Sequence, residues 1–375
     1  MIKVLHFVST PAIWSGVMSV IMNYYRHIDR SRVQFDFLCF SRCSPEESYE
    51  GEIEELGGKV YFVHKPGYSV KTWKQIALFF NEHNGEYTWF HNHEVYLSTF
   101  LFPLVHYFGI KNIIAHCHAT RYSDKKLASL RNRVLCIPLK FMRYKRFACS
   151  KAAGAFLFGE QAVQNGYVHI LYNAIEPELF QYNEATRNKI RESLGIYDTA
   201  FIIGHVGRFV PQKNHVFILR IFQAFCLRYP DTKLLLVGDG PLMNSIMNLG
   251  KELGIHEKII YAGYQKNAAD YYQAMDVFIM PSLYEGLPCA CIEAQAGGLP
   301  CVISDRISNE VCINSNISRL SLEKTDIKKW SYEIQKYRDE QRPSREICAQ
   351  AVKSQGYAIE DASYKLENYY WSNKK

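Results

Sequence analysis

VFIMPSLYEGLPCACIEAQAGG, residues 277–298, is the stretch from which the reading of this chain proceeds. Val277 to Met280 are four consecutive apolar residues, suited to a strand buried on both faces. They run straight into a short loop. Pro288 ends that loop and suits the first position of a helix, where its missing N–H costs nothing. The backbone N–H groups that follow have no helical acceptor and suit an anion such as a diphosphate. Gly286 lets the backbone come close to a ligand. Glu285 falls on the loop and Glu293 inside the helix, so one carboxylate can reach sugar hydroxyls and the other a ribose diol. The plainer alternative makes them a solvated loop acid and a helix-surface acid. Glu293, however, stands among Ala290, Ile292, Ala294 and Ala296, and a carboxylate on so apolar a helix needs a partner.

Outward from this stretch the same grammar repeats. Towards the N-terminus the pattern predicts strands over 3–8, 33–40, 59–64, 87–91 and 112–116, with helices over 18–27, 49–56 and 70–82. A second series predicts strands at 202–207, 233–237, 259–261, 277–280 and 300–303, separated by helices at 216–228, 242–253, 268–274 and 289–296. Alternation of this kind means parallel sheets covered by helices on both faces. The stretch 172–199 has Pro177 and mixed charges and reads as a connector, so the boundary is expected near residue 171. The fold class is α/β: an N-terminal domain over 1–170 and a C-terminal domain over 171–356, both Rossmann-like and doubly wound. Two such domains predict a cleft lined by the carboxyl ends of their strands.

Composition agrees with two domains. A chain of 375 residues, 48% hydrophobic, can fill two cores of the usual size. The apolar run 99–110 is too short to span a bilayer and contains His106. No cleavage site follows the first apolar segment, which predicts a cytoplasmic protein. The 11 cysteines are scattered, with no CxxC pair, and read as free thiols in a reducing compartment. The net charge of +7 is concentrated, with nine basic residues against the single acid Asp124 between Arg121 and Arg146. Such a patch suits an anionic membrane face, a lipid diphosphate or a solvated helix surface. Without interleaved aromatics or a known motif it does not point to nucleic acid.

A second informative stretch is GHVGRFVPQKNH, residues 204–215. A strand ends at Gly207 and two cations follow, Arg208 as a planar fork and Lys213 as a compact charge. Both suit phosphate oxygens and would stabilise the charge gained by a departing nucleoside diphosphate. Asn214 is placed to cap the next helix. In the first half, His116, Cys117 and His118 sit at a strand end. The sequence offers no further ligand at metal spacing nearby, and His91 and His93 belong to another strand end, so no metal site is expected.

These stretches, with GDGP at 238–241 and GGLP at 297–300, resemble the retaining glycosyltransferases of family 4, which have the GT-B fold. The resemblance runs over nearly the whole chain, and its nearer members build bacterial capsular, exo- or O-antigen polysaccharide. It implies that Glu285 contacts the donor sugar, Glu293 the ribose, and Arg208 and Lys213 the diphosphate. It places the backbone of Gly263, Tyr264 and Gln265 against the base, and that of Gly286, Leu287 and Cys289 against phosphate or sugar. It makes His118, rather than its neighbour His116, the residue facing donor sugar and acceptor, and Gly16 part of the loop beside the diphosphate. The family usually has two glycines at that loop, where this chain has Ser15 and Gly16; it also has Ala174 where a glycine is common. The helix over 357–375 is implied to pack back on the N-terminal domain.

The expectation is a metal-independent hexosyltransferase with no cofactor. Its donor is a nucleotide sugar, UDP more commonly than GDP. Its acceptor is a lipid-linked or oligosaccharide chain, met with the basic residues 121–146 on the inner face of the membrane. The competing readings are a nucleotide-sugar epimerase on the same fold and a catalytically silent membrane-bound subunit.

Overall fold

The computed structural model describes residues 1–375 except 68, 198, 340–344, 346, 347, 374 and 375. The chain divides into two compact units, Met1–Ala174 with Ile359–Lys375, and Ile175–Ala358.

The first unit is built on a seven-stranded, wholly parallel sheet. Its strands are β1 (Ile2–Val8), β2 (Val33–Cys39), β3 (Val60–Phe62), β4 (Trp89–Asn92), β5 (Asn112–Cys117), β6 (Lys145–Ala148) and β7 (Val168–Ile170), in the order 3-2-1-4-5-6-7. The order reverses between β1 and β4, whose residues His6 and His91 lie side by side. Side chains alternate across the sheet. Leu5, Phe7, Phe90, Ile113 and Ala115 join one core, with Ile76, Phe80 and Leu101 from the helices over it. His6, Phe35, Phe37, His91 and His116 face the other side. That side is covered in part by the helix Ile359–Ser372, where Tyr370 packs on Phe35 and the Trp89 indole donates to the Tyr370 carbonyl at 3.2 Å. Glu367 of the same helix pairs with Arg32 and accepts from the backbone of Asp29.

The second unit has six parallel strands, β8 (Phe201–Val206), β9 (Thr232–Val237), β10 (Ile259–Gly263), β11 (Val277–Met280), β12 (Cys301–Ser304) and β13 (Ile317–Leu320), in the order 10-9-8-11-12-13. Its reversal lies between β8 and β11. The helix His215–Cys226 buries Phe217, Ile218, Ile221, Phe222 and Phe225 against Ile203, Leu234 and Leu236. Two glycines are required by close approach. Gly204 leaves room for Met275, and Gly238, at φ +133°, lies so near the backbone of Gly207 that a Cβ there would meet its carbonyl oxygen at 2.2 Å.

The alternating pattern locates most elements to within a residue or two, and the helices 70–82, 268–274 and 289–296 have their expected bounds. Strands β6, β7 and β13 leave no comparable signal. They are three or four residues long, and β6 carries Lys145 and Arg146, so neither length nor apolarity marks them. Asn214 stands before the helix His215–Cys226 as expected, but in the left-handed region (φ 56°) and without a side-chain cap; its amide instead donates to the Pro281 carbonyl at 3.1 Å. The C-terminal helix runs over Ile359–Ser372, two residues later than the pattern suggests.

One buried ionic group anchors the second unit. Asp276, at the start of β11, accepts from the Ile202 amide at 2.7 Å and from Arg187 at 2.6 Å, with Arg191 at 3.7 Å. Removing the carboxylate leaves buried guanidinium charge without its counter-ion. Asp276→Ala is therefore expected to lower stability by about 3–5 kcal/mol, read as a shift in urea midpoint.

Candidate active site

Where β8 and β11 separate, their loops are laced together. Lys213 Nζ lies 2.8 Å from Glu285 Oε1, and the Gln212 side-chain amide donates to Glu285 Oε2 and to the Tyr284 carbonyl, both at 3.0 Å. The Leu283 amide donates to the Gln212 carbonyl at 2.8 Å, and Asn214 reaches Pro281 from the same turn. Glu285 is only 6% exposed, yet both its oxygens are satisfied. The sequence marks Lys213 and Glu285 separately; the fold makes them an ion pair. Gln212 carries no signal of its own in the sequence, because its role depends on a loop more than seventy positions away.

Arg208 follows Gly207 at the carboxyl end of β8. Burial lowers its guanidinium pKa, and the nearby Asp239 carboxylate acts in the opposite direction. Gly238 and Gly240 bring the turn after β9 against residues 207–209: the Phe209 amide donates to the Asp239 carbonyl at 2.9 Å, and the Gly238 amide to the Gly263 carbonyl at 2.8 Å. The ends of β8, β9 and β10 are thus tied in series. Gly263 takes φ +68°, Tyr264 is half-exposed, and the Gln265 side chain turns back to the Ala262 carbonyl at 2.5 Å.

Pro288 stands just before the helix Cys289–Ala296, at its N-cap, and no side chain caps the first turn. Gly286 and Leu287 lie in the loop between Glu285 and Pro288, and Leu287 is buried. Glu293 has a partner in the protein: Oε2 accepts from the Tyr272 hydroxyl at 2.7 Å. Burial still raises the Glu293 pKa, opposed by that hydrogen bond and by Lys213. Burial, with Glu293 next, pushes the Cys289 thiol up to about 12. Tyr272 comes from the helix Ala268–Ala274, and no local pattern links it to Glu293.

Gly16 and His118 belong to the first unit. Gly16 begins the helix Gly16–His27, whose N-cap Ser15 accepts from the Met18 amide at 3.4 Å, and a Cβ at Gly16 would meet nothing within 4 Å. His118 is not isolated. His93 Nδ1 lies 2.7 Å from His118 Nε2, and His93 Nε2 lies 2.9 Å from His6 Nδ1. His91 Nε2 lies 3.0 Å from His116 Nδ1, and His91 Nδ1 lies 2.6 Å from the Tyr370 hydroxyl. The expectation that His91 and His93 stand apart from His116 and His118 is therefore incorrect. Parallel neighbours β1, β4 and β5 bring their carboxyl ends together, which spacing along the chain does not reveal.

The strand order of each unit, and loops carrying Arg208, Lys213 and Glu285 at the reversal, define a GT-B glycosyltransferase. The match to the family model described as "Glycosyl transferases group 1" covers residues 186–355. A putative glycosyltransferase of Bacillus subtilis, EpsF, is 33% identical over 364 residues, covering 95% of this chain and 93% of the relative. The chain belongs to the group 1 glycosyl transferases. An Escherichia coli enzyme named UDP-Gal:alpha-D-GlcNAc-diphosphoundecaprenol alpha-1,3-galactosyltransferase is 29% identical over 164 residues, 43% of this chain and 42% of that one. The structure of Anabaena HepE in complex with UDP-glucose superposes with a TM-score of 0.81 at 15% identity, covering 99% of this chain and all of that one.

Beneath this site lie His205 and His215, both buried. Burial pushes His205 down to about 3 and His215 to about 2, so both stay neutral in the folded unit. Unfolded, each takes up a proton below about 6.5. The unfolded chain thus binds more protons between these limits, and stability is lost as pH falls below 6.5, by up to about 1.4 kcal/mol per pH unit for each histidine. Urea titrations between pH 7 and pH 5 should show this slope, and the double variant H205Q/H215Q should reduce it, leaving the part that the buried histidines of the first unit contribute.

Proposed function

We propose that this chain transfers a sugar, with retention of anomeric configuration, from a nucleoside diphosphate sugar to a glycan acceptor carried on a lipid diphosphate during surface-polysaccharide synthesis. The observation that carries the reading is the Lys213–Glu285 pair, held by Gln212 beside Arg208 at the reversal of the second sheet. Arg208 and Lys213 bind the diphosphate and stabilise the charge it gains on leaving, in place of a divalent ion. Glu285 orients the sugar, and Glu293, fixed by Tyr272, takes the ribose. The backbone of 263–265 meets the base, that of Gly286, Leu287 and Cys289 meets phosphate and sugar, Gly16 belongs to the loop beside the diphosphate, and His118 faces donor sugar and acceptor.

In the proposed step the bond from the anomeric carbon to the phosphate oxygen breaks. The acceptor hydroxyl attacks from the same face, and its proton passes to the departing phosphate oxygen. The chain supplies no covalent nucleophile in this scheme, unlike a retaining hydrolase. UDP is the favoured carrier, supported by the names of the Escherichia coli relative and the Anabaena neighbour. Release of nucleoside diphosphate from a panel of UDP- and GDP-sugars, measured with EDTA present, should saturate with one donor. Single changes of Arg208, Lys213 or Glu285 to Ala should lower kcat by about 10²–10³-fold. Normal turnover in all three variants would refute the assignment.

The lipid-linked acceptor has independent support in the first unit. From the helix Lys126–Leu135 to residue 141, Leu127, Leu130, Val134, Ile137 and Phe141 recur at three- and four-residue steps, and all are exposed, Leu127 by 85% and Phe141 by 86%. Lys125, Lys126, Arg131, Arg133, Lys140 and Arg143 are interspersed among them. An exposed apolar stripe flanked by cations fits insertion at an anionic, cytoplasmic-side membrane face. Among the described residues no helix is long and apolar enough to cross a membrane. Flotation with phosphatidylglycerol vesicles should show binding that weakens with salt and is lost when Lys125, Lys126, Arg131 and Arg133 become Glu. Equal, salt-independent partitioning to neutral vesicles would overturn electrostatic docking.

A further inference from the structure

Five histidines from three adjacent strands meet at the reversal of the first sheet, around a cavity of about 10 Å³. That is room for about one water-sized species. Two sets of three offer ring nitrogens within 4.8 Å of one another: His6, His91 and His93, and His93, His116 and His118. His93 belongs to both, turning Nε2 to His6 and Nδ1 to His118. His116 is 3% exposed, and its Nε2 has no hydrogen-bond partner among the described residues. A buried imidazole nitrogen without a partner is costly unless something else occupies it.

We propose that His93, His116 and His118 form a three-nitrogen site for a divalent transition-metal ion of the Zn²⁺ class, with His6 and His91 as hydrogen-bonded supports behind it. One assignment of ring protons agrees with every hydrogen bond that His6 and His91 make in the cluster, leaving the His6 Nε2 proton without a partner among the described residues. His93 Nδ1, His116 Nε2 and His118 Nε2 present lone pairs. The remaining N–H of His93 donates from Nε2 to His6 Nδ1, and that of His116 donates from Nδ1 to His91 Nε2. His91 then donates from Nδ1 to the Tyr370 hydroxyl. Metal-bound histidines usually donate their second N–H in this way, which fixes the tautomer and the ring orientation.

Burial keeps the cluster neutral: His6 is pushed down to about 3 and His118 to about 4, while His91, His93 and His116 lie well below the usual imidazole range. Three neutral imidazoles without a carboxylate select Zn²⁺, Co²⁺, Ni²⁺ or Cu²⁺ over Mg²⁺ or Ca²⁺. Three ligands leave one tetrahedral position for water or another donor. At bond lengths near 2.0–2.1 Å the nitrogens stand about 3.4 Å apart, so the His93–His118 pair, now at 2.7 Å, opens by less than about 1 Å. The ion is separate from the diphosphate chemistry, which Arg208 and Lys213 serve with or without it.

The test uses the full chain without a polyhistidine tag, stripped of metal by a chelator and titrated with CoCl₂. The expected result is uptake of one ion per chain with the visible absorption of four-coordinate Co²⁺, displaced by Zn²⁺, and a raised unfolding midpoint with either ion. H93Q and H116Q should lose the absorption and the shift while keeping the circular dichroism of the parent. Should these core variants fail to fold, NMR of the histidine ring nitrogens in the unaltered chain answers the same question: Zn²⁺ should move one nitrogen each of His93, His116 and His118. No stoichiometric uptake, uptake unchanged in H116Q, or nitrogen shifts confined to other histidines would overturn the proposal and leave the cluster as a hydrogen-bonded core.

Discussion

In a parallel sheet the strand order can reverse only between two neighbours, and there the connecting loops leave in opposite directions. This constraint organises both units. It opens a hollow at the carboxyl ends of β8 and β11 and another at those of β1 and β4. Residues that are distant in sequence and unremarked in composition meet at these two places. In the second unit they are cations and carboxylates; in the first they are imidazoles. The difference in chemistry arises from side chains grafted on one architecture rather than from the architecture itself.

Each hollow must also satisfy the polar groups it buries. Glu285 is tolerated because Lys213 and Gln212 occupy both of its oxygens, and Glu293 because Tyr272 occupies one of its own. Gly238 and Gly240 let the turn after β9 press its backbone against that of Gly207 and Phe209, on either side of Arg208. The loops are preorganised, in that hydrogen bonds already fix the Lys213 and Glu285 charges. The same hydrogen bonds tie Lys213 to Glu285.

The first unit solves a different problem. Five imidazoles buried together would repel one another if protonated, and burial holds them neutral. Their rings stack, His91 on His93 at 4.4 Å and His116 near His118 at 4.0 Å, and the C-terminal helix closes the chain of hydrogen bonds through Tyr370. That helix is thereby tied to the centre of the sheet as well as to its surface, where Glu367 holds Arg32.

The sequence alone determined the α/β class, the two series of strands and the candidate residues Arg208, Lys213, Glu285 and Glu293, because hydrophobic period and local turn chemistry are written in neighbouring positions. It missed β6, β7 and β13, whose few residues take their strand character from the neighbours they pair with. It could not pair Glu293 with Tyr272, make Gln212 a support for Glu285, or bring His6, His91 and His93 to His116 and His118. Those meetings require parallel strands in register and loops turned towards each other. Only the tertiary structure fixes them, since they join residues whose separation along the chain carries no information about their distance in space.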